Sequence, residues 1–520
     1  MAMAAVVGKN RENFRMMERE RTLPFTQKRE RGLARGGERG DGGGWWSARE
    51  GGCRGGGEEK GRRRQSSSPN KDTRSPSSPP HKNIDRLPKP PPSVSSLLTF
   101  VKIPLPAVPH LPAGAEATTD LPYDKVQYLK IAYDRLREPM KRFLQESAPD
   151  WVLYDFAPHW VGPVAAELGI PCAFFSIMIA SVLVFMEPTA EEAVAEVGRD
   201  ERTELEDYAR PPKWVPFPTT VTFRVFEILK MADSFTGNDS GVKDIDRFKL
   251  SLKGCDVIAV RSCAEFEPEW LHLLEDLHRK PVFPVGQLPT TAVSGVDNDD
   301  NTNTEWLAMK QWLDQQEKSS VVYVAFGSEA KPTQQELTEI ALGLERSELP
   351  FFWVLKTRRG PYDTEVIELP EGFETRTRDR GMVCTGWVPQ LKILSHNSVG
   401  GFLTHSGWTS VVEAIQFERP LILLTFLADQ GINARVLEAK EMAYSIPRDE
   451  RDGSFTRDSV AESLRRVVVA EEGKLYRDNI KAMKGLFVDR VRQERYVENL
   501  LSYFQSHTKL KKKGEEENGK

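Results

Sequence analysis

Cysteine is scarce in this sequence, and nothing organises the little there is. Cys53, Cys172, Cys255, Cys263 and Cys384 are scattered over 520 residues with no C-x-x-C spacing and no paired histidine. That excludes a disulfide framework and a cysteine zinc site and points to a reducing compartment. Long apolar runs are missing as well. The longest, Cys172 to Met186, falls short of the ~20 residues a membrane-spanning helix needs, so a cytoplasmic protein with no membrane partner is expected. Charge of one sign is not in excess: 72 basic and 76 acidic side chains leave a net charge of −4, which argues against a bulk nucleic-acid surface. No G-x-G-x-x-G follows an apolar strand, which removes the dinucleotide fingerprint of a dehydrogenase. The acidic pairs Asp244-x-Asp246 and Asp297-x-Asp299 do not end apolar strands, so they read as surface or loop charge, and no metal site is expected. Histidine is limited to eight positions, and the first of them is His81.

What is present divides unevenly along the chain. Residues 1–82 read as a disordered low-complexity segment, rich in Gly, Arg, Ser and Pro, with 18 basic and 10 acidic side chains before position 81. Its apolar content is too small to offset chain entropy. Ala2 to Gly8 is too short for a signal peptide and has no basic flank. From Asn83 onward apolar strands alternate with amphipathic helices, which predicts an α/β fold of two parallel-sheet domains facing across a cleft. The expected divisions are an N-terminal domain at 83–286, a linker at 287–304, a C-terminal domain at 305–490, a last helix at 491–506 and a disordered tail at 507–520. In the first half, the strand Trp151-Val152-Leu153-Tyr154 runs into Asp155. That aspartate stands at the carboxyl end of a parallel strand, where open α/β sheets place their sites.

The stretch 387–430, WVPQLKILSHNSVGGFLTHSGWTSVVEAIQFERPLILLTFLADQ, carries the most chemistry. Val399 to Thr404 reads as a buried strand, His405-Ser406-Gly407 as a turn, and Trp408 to Ile415 as a helix. A helix start after a small-residue turn is an anion site, because free N–H groups and the positive end of the dipole face the turn. Thr409 and Ser410 add hydroxyl donors, and His405 a ring N–H. Glu413, a turn further in, suits a neutral diol such as ribose better than a phosphate. Trp387 offers a flat face for a base. Asp429 and Gln430 pair a carboxylate with an amide, as sugar hydroxyls require. Base, ribose, phosphate and sugar together describe a nucleotide sugar.

With its Trp start, its HxGW core, its Glu and its terminal Asp-Gln, this stretch resembles the signature box of plant secondary-product UDP-glycosyltransferases (glycosyltransferase family 1). From near Asn83 to near Gln505 the chain resembles the sugar-on-sugar branch of that family, which includes rhamnosyltransferases. The resemblance implies a GT-B fold of two Rossmann-like domains. It also implies inverting, metal-independent transfer of glucose or rhamnose from a UDP-sugar to a small-molecule glycoside such as a flavonoid or terpenoid glycoside. The UDP-sugar is a co-substrate and no cofactor is implied. Donor binding falls to Ser328, Trp387, Val388, Gln390, His405, Trp408, Thr409, Ser410, Glu413, Asp429 and Gln430. Thr409 departs from the family, which mostly carries Asn there.

Inversion needs a base within hydrogen-bond reach of the acceptor hydroxyl. In the family this is a histidine in the first N-terminal turn, oriented by an aspartate that Asp155 matches. The histidine has no counterpart here, and residues 1–80 stand where the first strand, turn and helix belong. A divergent first exon or a mispredicted gene start would explain such a pattern. His159 and His110 are weak substitutes. The expectation is therefore a UDP-glycosyltransferase frame with doubtful turnover. The alternative is a non-catalytic UDP-sugar-binding pseudoenzyme; a pyridoxal-dependent phosphorylase lacks support, because the Trp387 start and the Asp429-Gln430 end fit a UDP-sugar.

Overall fold

A computed structural model describes residues 5–7, 82–85, 87, 95–199, 201–290, 304–327, 330, 332–358 and 366–518. All of them belong to one compact unit spanning Met1–Lys9 and His81–Lys520. Ser328, Asp297-x-Asp299 and most of the segment 1–82 lie outside the described residues.

Two sheets form the frame. The first has the order β1-β2-β3-β4-β5, with β1 (Ala5–Val7), β2 (Trp151–Tyr154), β3 (Cys172–Ser176), β4 (Val257–Val260) and β5 (Val282–Pro284). From β2 to β5 every pairing is parallel. β4 is buried at all four positions. Such an unbroken apolar run is what a strand covered on both faces requires. No strand is expected from the pattern of residues 1–82, yet Ala5–Val7 lies antiparallel on the edge of β2, with Ala5 opposite Leu153. The apolar Ala-Val-Val sequence is short enough to be hidden by the polar background. Pairing gives its backbone groups, and those of one β2 edge, partners they would otherwise seek in water.

The second sheet has the order β11-β10-β9-β6-β7-β8 and is parallel throughout. Its strands are β6 (Val321–Ala325), β7 (Phe351–Val354), β8 (Gly381–Cys384), β9 (Val399–Thr404), β10 (Leu421–Leu423) and β11 (Ala443–Ser445). The chain builds outward from β6 to β8, then crosses back and builds outward from β9 to β11. The reversal falls between β6 and β9, so the crevice beyond their carboxyl ends is where an open sheet of this kind receives a ligand.

The helices include α1 (Val126–Asp134), α2 (Val225–Lys230), α3 (Asp244–Gly254), α4 (Gln334–Ser347), α5 (Gln390–Ser395), α6 (Trp408–Gln416), α7 (Gln430–Ala439) and α8 (Arg457–Val468). Asp244 and Asp246, read from sequence as loop or surface charge, occupy the first turn of α3, and Asp244 accepts from Lys130 Nζ at 2.7 Å. Acids there complement the helix dipole. α4 starts on a capping box, in which Thr333 Oγ1 accepts from Glu336 N–H and Glu336 returns the bond to Thr333 N–H. Its apolar face then packs on α8.

The last helix, α9 (Arg490–Asn518), ties the halves together. At its start Gln493 Oε1 accepts from the Gln287 N–H at 2.6 Å. Further along, Phe504 stacks on Trp151 with ring centroids 4.2 Å apart, and the Trp151 indole donates to the Phe504 carbonyl at 3.2 Å and to Thr508 Oγ1 at 3.1 Å. The charged tail expected to be disordered from 507 continues this helix to Asn518. Lys, Leu and Glu are strong helix formers, and an existing helix extends through them without a new nucleation step. Gln287, expected to open a polar linker, is fully buried at the junction of the lobes.

Candidate functional site

The site begins where β6 and β9 end. β6 passes into Gly327 and β9 into His405. Gly327 has φ +75°, and a Cβ there would stand 2.8 Å from the His405 ring. One on Gly407 would stand 2.3 Å from His405 Nε2. The imidazole is thus wedged between two backbones that only glycine lets approach it. Burial pulls its pKa down to about 4, so the ring is neutral at pH 7. Between the two, Ser406 holds a left-handed φ of +69°. A strained residue of this kind costs of order 1–3 kcal/mol and is characteristic of functional turns.

Gly407 then caps α6 without a side chain, which leaves the first N–H groups of the helix without partners inside it. Thr409 is exposed and Ser410 half-buried at this end. Glu413 is buried one turn in, and both its oxygens are in use. Oε1 accepts from Thr290 Oγ1 at 2.9 Å and Oε2 from Gln390 Nε2 at 2.7 Å. Gln390 also lies 3.4 Å from Ser410 Oγ and accepts from Tyr323 OH at 3.2 Å. Ionised carboxylate oxygens offer about four acceptor positions, so this pair of bonds leaves capacity for a diol. Trp387, just ahead of α5, is 78% exposed, an unusual state for an indole. Val388 beside it is buried.

Asp429 and Gln430 stand at the start of α7. The Asp429 carboxylate accepts from Asn433 Nδ2 at 2.7 Å, and burial raises its pKa. Gln430 Oε1 accepts from the N–H groups of Phe426 and Leu427 at 2.8 and 3.1 Å, which commits the carbonyl to the turn and leaves the amide NH₂ as the donor. From the other lobe, Glu227 on α2 accepts from Thr425 Oγ1 at 2.6 Å. A Cβ on Gly431 would come within 2.2 Å of the Glu227 carboxylate, so glycine at that position admits α2 beside the Asp429–Gln430 pair.

Trp408, expected to help bind the donor, faces the junction of the lobes. Its indole is buried, packs against Phe266 and Phe487 and donates to Gln287 Oε1 at 2.9 Å. Helix periodicity explains this: Trp408 shares the apolar face with Val411, Val412 and Ile415.

In the first lobe Asp155 stands half-buried at the end of β2 and accepts from the Ala157 N–H at 3.0 Å. The Tyr133 phenol has its pKa raised by burial and by the nearby Asp155 charge. His159 turns elsewhere. Its Nδ1 is 3.3 Å from Arg247 Nη1 and 3.9 Å from Asp134 Oδ1, and Arg247 grips Asp134 with two bonds of 2.5 and 2.6 Å. Burial holds this imidazole below its usual pKa, with Asp134 pulling the other way. His110 is exposed against Tyr128.

Sequence reasoning missed Arg261, Thr290, Tyr323 and Glu227. Arg261 had a usable signal: it follows β4 as Asp155 follows β2, a charge at the end of a buried strand. The others lie in loops, helices or a uniformly apolar strand, where nothing local distinguishes them.

A switch-point crevice with a neutral imidazole, an open helix start, a diol-ready carboxylate and an exposed indole, faced by a second parallel-sheet lobe, defines a GT-B type transferase architecture. The family described as UDP-glucoronosyl and UDP-glucosyl transferase matches residues 270–494. The chain is 54% identical over 429 residues to UDP-glycosyltransferase 91A1 of Arabidopsis thaliana, covering 81% of this chain and 88% of that protein. It is 42% identical over 432 residues to soyasaponin III rhamnosyltransferase of Glycine max, covering 82% and 88%. The structure of Phytolacca americana UGT2 complexed with UDP-2fluoro-glucose and pterostilbene shares the fold, with a TM-score of 0.56 at 24% identity over 76% of this chain and 83% of that one. The chain therefore belongs to the UDP-glycosyltransferase family, among its plant members.

Among the described residues no helix is long and apolar enough to cross a membrane.

Proposed function

We propose that the crevice at the ends of β6 and β9 binds a UDP-sugar, and that the frame is built for inverting, metal-independent transfer of glucose or rhamnose to a small-molecule glycoside, in the cytoplasm. The single observation that carries the reading is the start of α6, where Gln390, Ser410 and Glu413 are joined by hydrogen bonds and His405 is wedged against Gly407. Uracil stacks on Trp387, the ribose hydroxyls donate to Glu413, and the diphosphate lies at the helix mouth, where backbone N–H groups and the Thr409 and Ser410 hydroxyls stabilise charge. The sugar meets the Asp429 carboxylate and the Gln430 amide. The family resemblance adds the Ser328 hydroxyl as a further phosphate donor. Relatives that carry rhamnosyltransferase names support rhamnose and glucose as the donor sugars to compare. Titration of UDP into the wild type and a Trp387→Ala, Glu413→Ala double variant tests the reading. Unchanged affinity in the variant overturns it.

A second reading rests on a separate observation. His159 is held by Arg247 and Asp134, and no histidine occurs before position 81. Without the base, turnover falls by about 10²–10⁴-fold, and the chain acts as a UDP-sugar-binding protein. UDP release with a flavonoid or terpenoid glycoside as acceptor separates the two. Robust turnover by the 520-residue chain removes the second reading.

A further inference from the structure

Arg261 is a strongly basic side chain of the first lobe whose contacts reach the mouth of α6. It follows β4 and is buried, with 8% of its surface exposed. Its Nε donates to the Gln287 carbonyl at 2.8 Å, one Nη to the Leu288 carbonyl at 3.4 Å, and the other to Thr409 Oγ1 at 2.7 Å. Two carbonyls and a hydroxyl satisfy donors but carry no charge. The nearby Glu413 carboxylate spends its bonds on Thr290 and Gln390. Burial depresses the Arg261 pKa to about 10, Glu413 opposing it, so the side chain remains a cation at pH 7.

The placement is electrostatically costly as it stands. A buried cation is set against the positive end of a helix dipole, and the nearby Glu413 charge offsets the two like features only in part. One ligand relieves both: an anion seated between the helix mouth and the guanidinium. Thr409 fits this arrangement. Its oxygen accepts from Arg261, which leaves its own O–H to donate onward, and a hydroxyl that accepts from a cation is a stronger donor. An amide at that position, as most of the family carries, would have to turn its oxygen to the arginine to do the same.

We infer that Arg261 is a donor-binding residue supplied by the first lobe, holding the diphosphate of the nucleotide sugar against the start of α6 in concert with Thr409. This rests on the UDP-sugar reading of the crevice and extends it. Because the guanidinium is anchored to the loop carbonyls at 287 and 288, its contact with the diphosphate couples the seating of the donor to the closure of the two lobes.

The experiment compares UDP with uridine, which share base and ribose and differ in the diphosphate. Calorimetric titration of the full chain is run for wild type, Arg261→Met and Arg261→Lys, with melting curves alongside. In Arg261→Met the UDP affinity falls by roughly 10- to 100-fold, the range for a hydrogen bond to a charged group, while uridine affinity stays within about twofold. Arg261→Lys keeps the charge and recovers part of the loss. It also carries the test if Arg261→Met does not fold, because UDP then weakens relative to uridine. Equal loss of UDP and uridine, with a lowered melting temperature, overturns the inference and makes Arg261 an inter-lobe strut. Unchanged UDP binding in both variants overturns it as well. Failure of the wild type to bind either ligand instead removes the crevice reading on which it stands.

Discussion

Glu413→Gln is the perturbation that most directly interrogates the crevice. The exchange is nearly isosteric. The new amide oxygen keeps the 2.7 Å bond from Gln390 Nε2, and the amide NH₂ faces Thr290, whose hydroxyl can reverse and accept. The site therefore stays satisfied and the fold is expected to persist. Ligand binding does not. Two ribose hydroxyls donating to an ionised carboxylate contribute about 1.5–3 kcal/mol each, against about 0.5–1.5 kcal/mol for a neutral acceptor. The Gln NH₂ accepts nothing, so one bond is lost and the other weakened. The net penalty is about 2–5 kcal/mol, or about 30- to 5,000-fold in Kd. The assay is competitive titration of UDP against 2′,3′-dideoxy-UDP. Wild type prefers UDP strongly, whereas in the variant the preference shrinks to the roughly 2- to 10-fold that one neutral hydrogen bond supplies. A variant that still discriminates by the wild-type ratio refutes Glu413 as the ribose acceptor, whatever its absolute affinity.

Other consequences are simpler to measure. Trp387→Ala weakens UDP by about 1–3 kcal/mol, the worth of a base stack, and leaves the melting temperature nearly unchanged because the indole is exposed. Trp408→Phe behaves in the opposite way. It strands the buried Gln287 Oε1 and destabilises the fold by about 1–3 kcal/mol in urea melts, with little effect on uridine affinity. Stability also depends on pH through His405 and His278, whose folded pKa values are lowered by burial to about 4 and about 3. Below the unfolded value of ~6.5 the unfolded chain binds protons that the folded chain refuses. Stability is thus fully present above about pH 6.5 and is lost as pH falls toward 4. His405→Asn flattens the slope of stability against pH between about 5 and 6.5, and an unchanged slope rejects a buried neutral imidazole.

Legibility varied with the kind of signal. β9 at Val399–Thr404 and α6 at Trp408–Gln416 appear where the apolar run and the helix spacing put them. Less legible is the register of α2 at Val225–Lys230, where Glu227 meets Thr425 and the Gly431 backbone of the other lobe. At the site, Trp387 and Glu413 are legible because a flat indole and a carboxylate carry their chemistry wherever they stand. Trp408 belonged to the same run of letters, but its face of α6 was decided by Phe266, Gln287 and Phe487.

By itself the sequence determined what is local. Buried strands follow from unbroken apolar runs, the helix mouth from a small-residue turn ahead of α6, and the scarcity of histidine from a count. The tertiary structure decided which remote groups meet. Arg261 reaches Thr409 across 148 positions, Thr290 reaches Glu413 across 123, and Glu227 reaches Thr425 across 198. The reason is physical. Propensity and periodicity act over one or two turns of chain, whereas a hydrogen bond between lobes exists only once both sheets are built and docked.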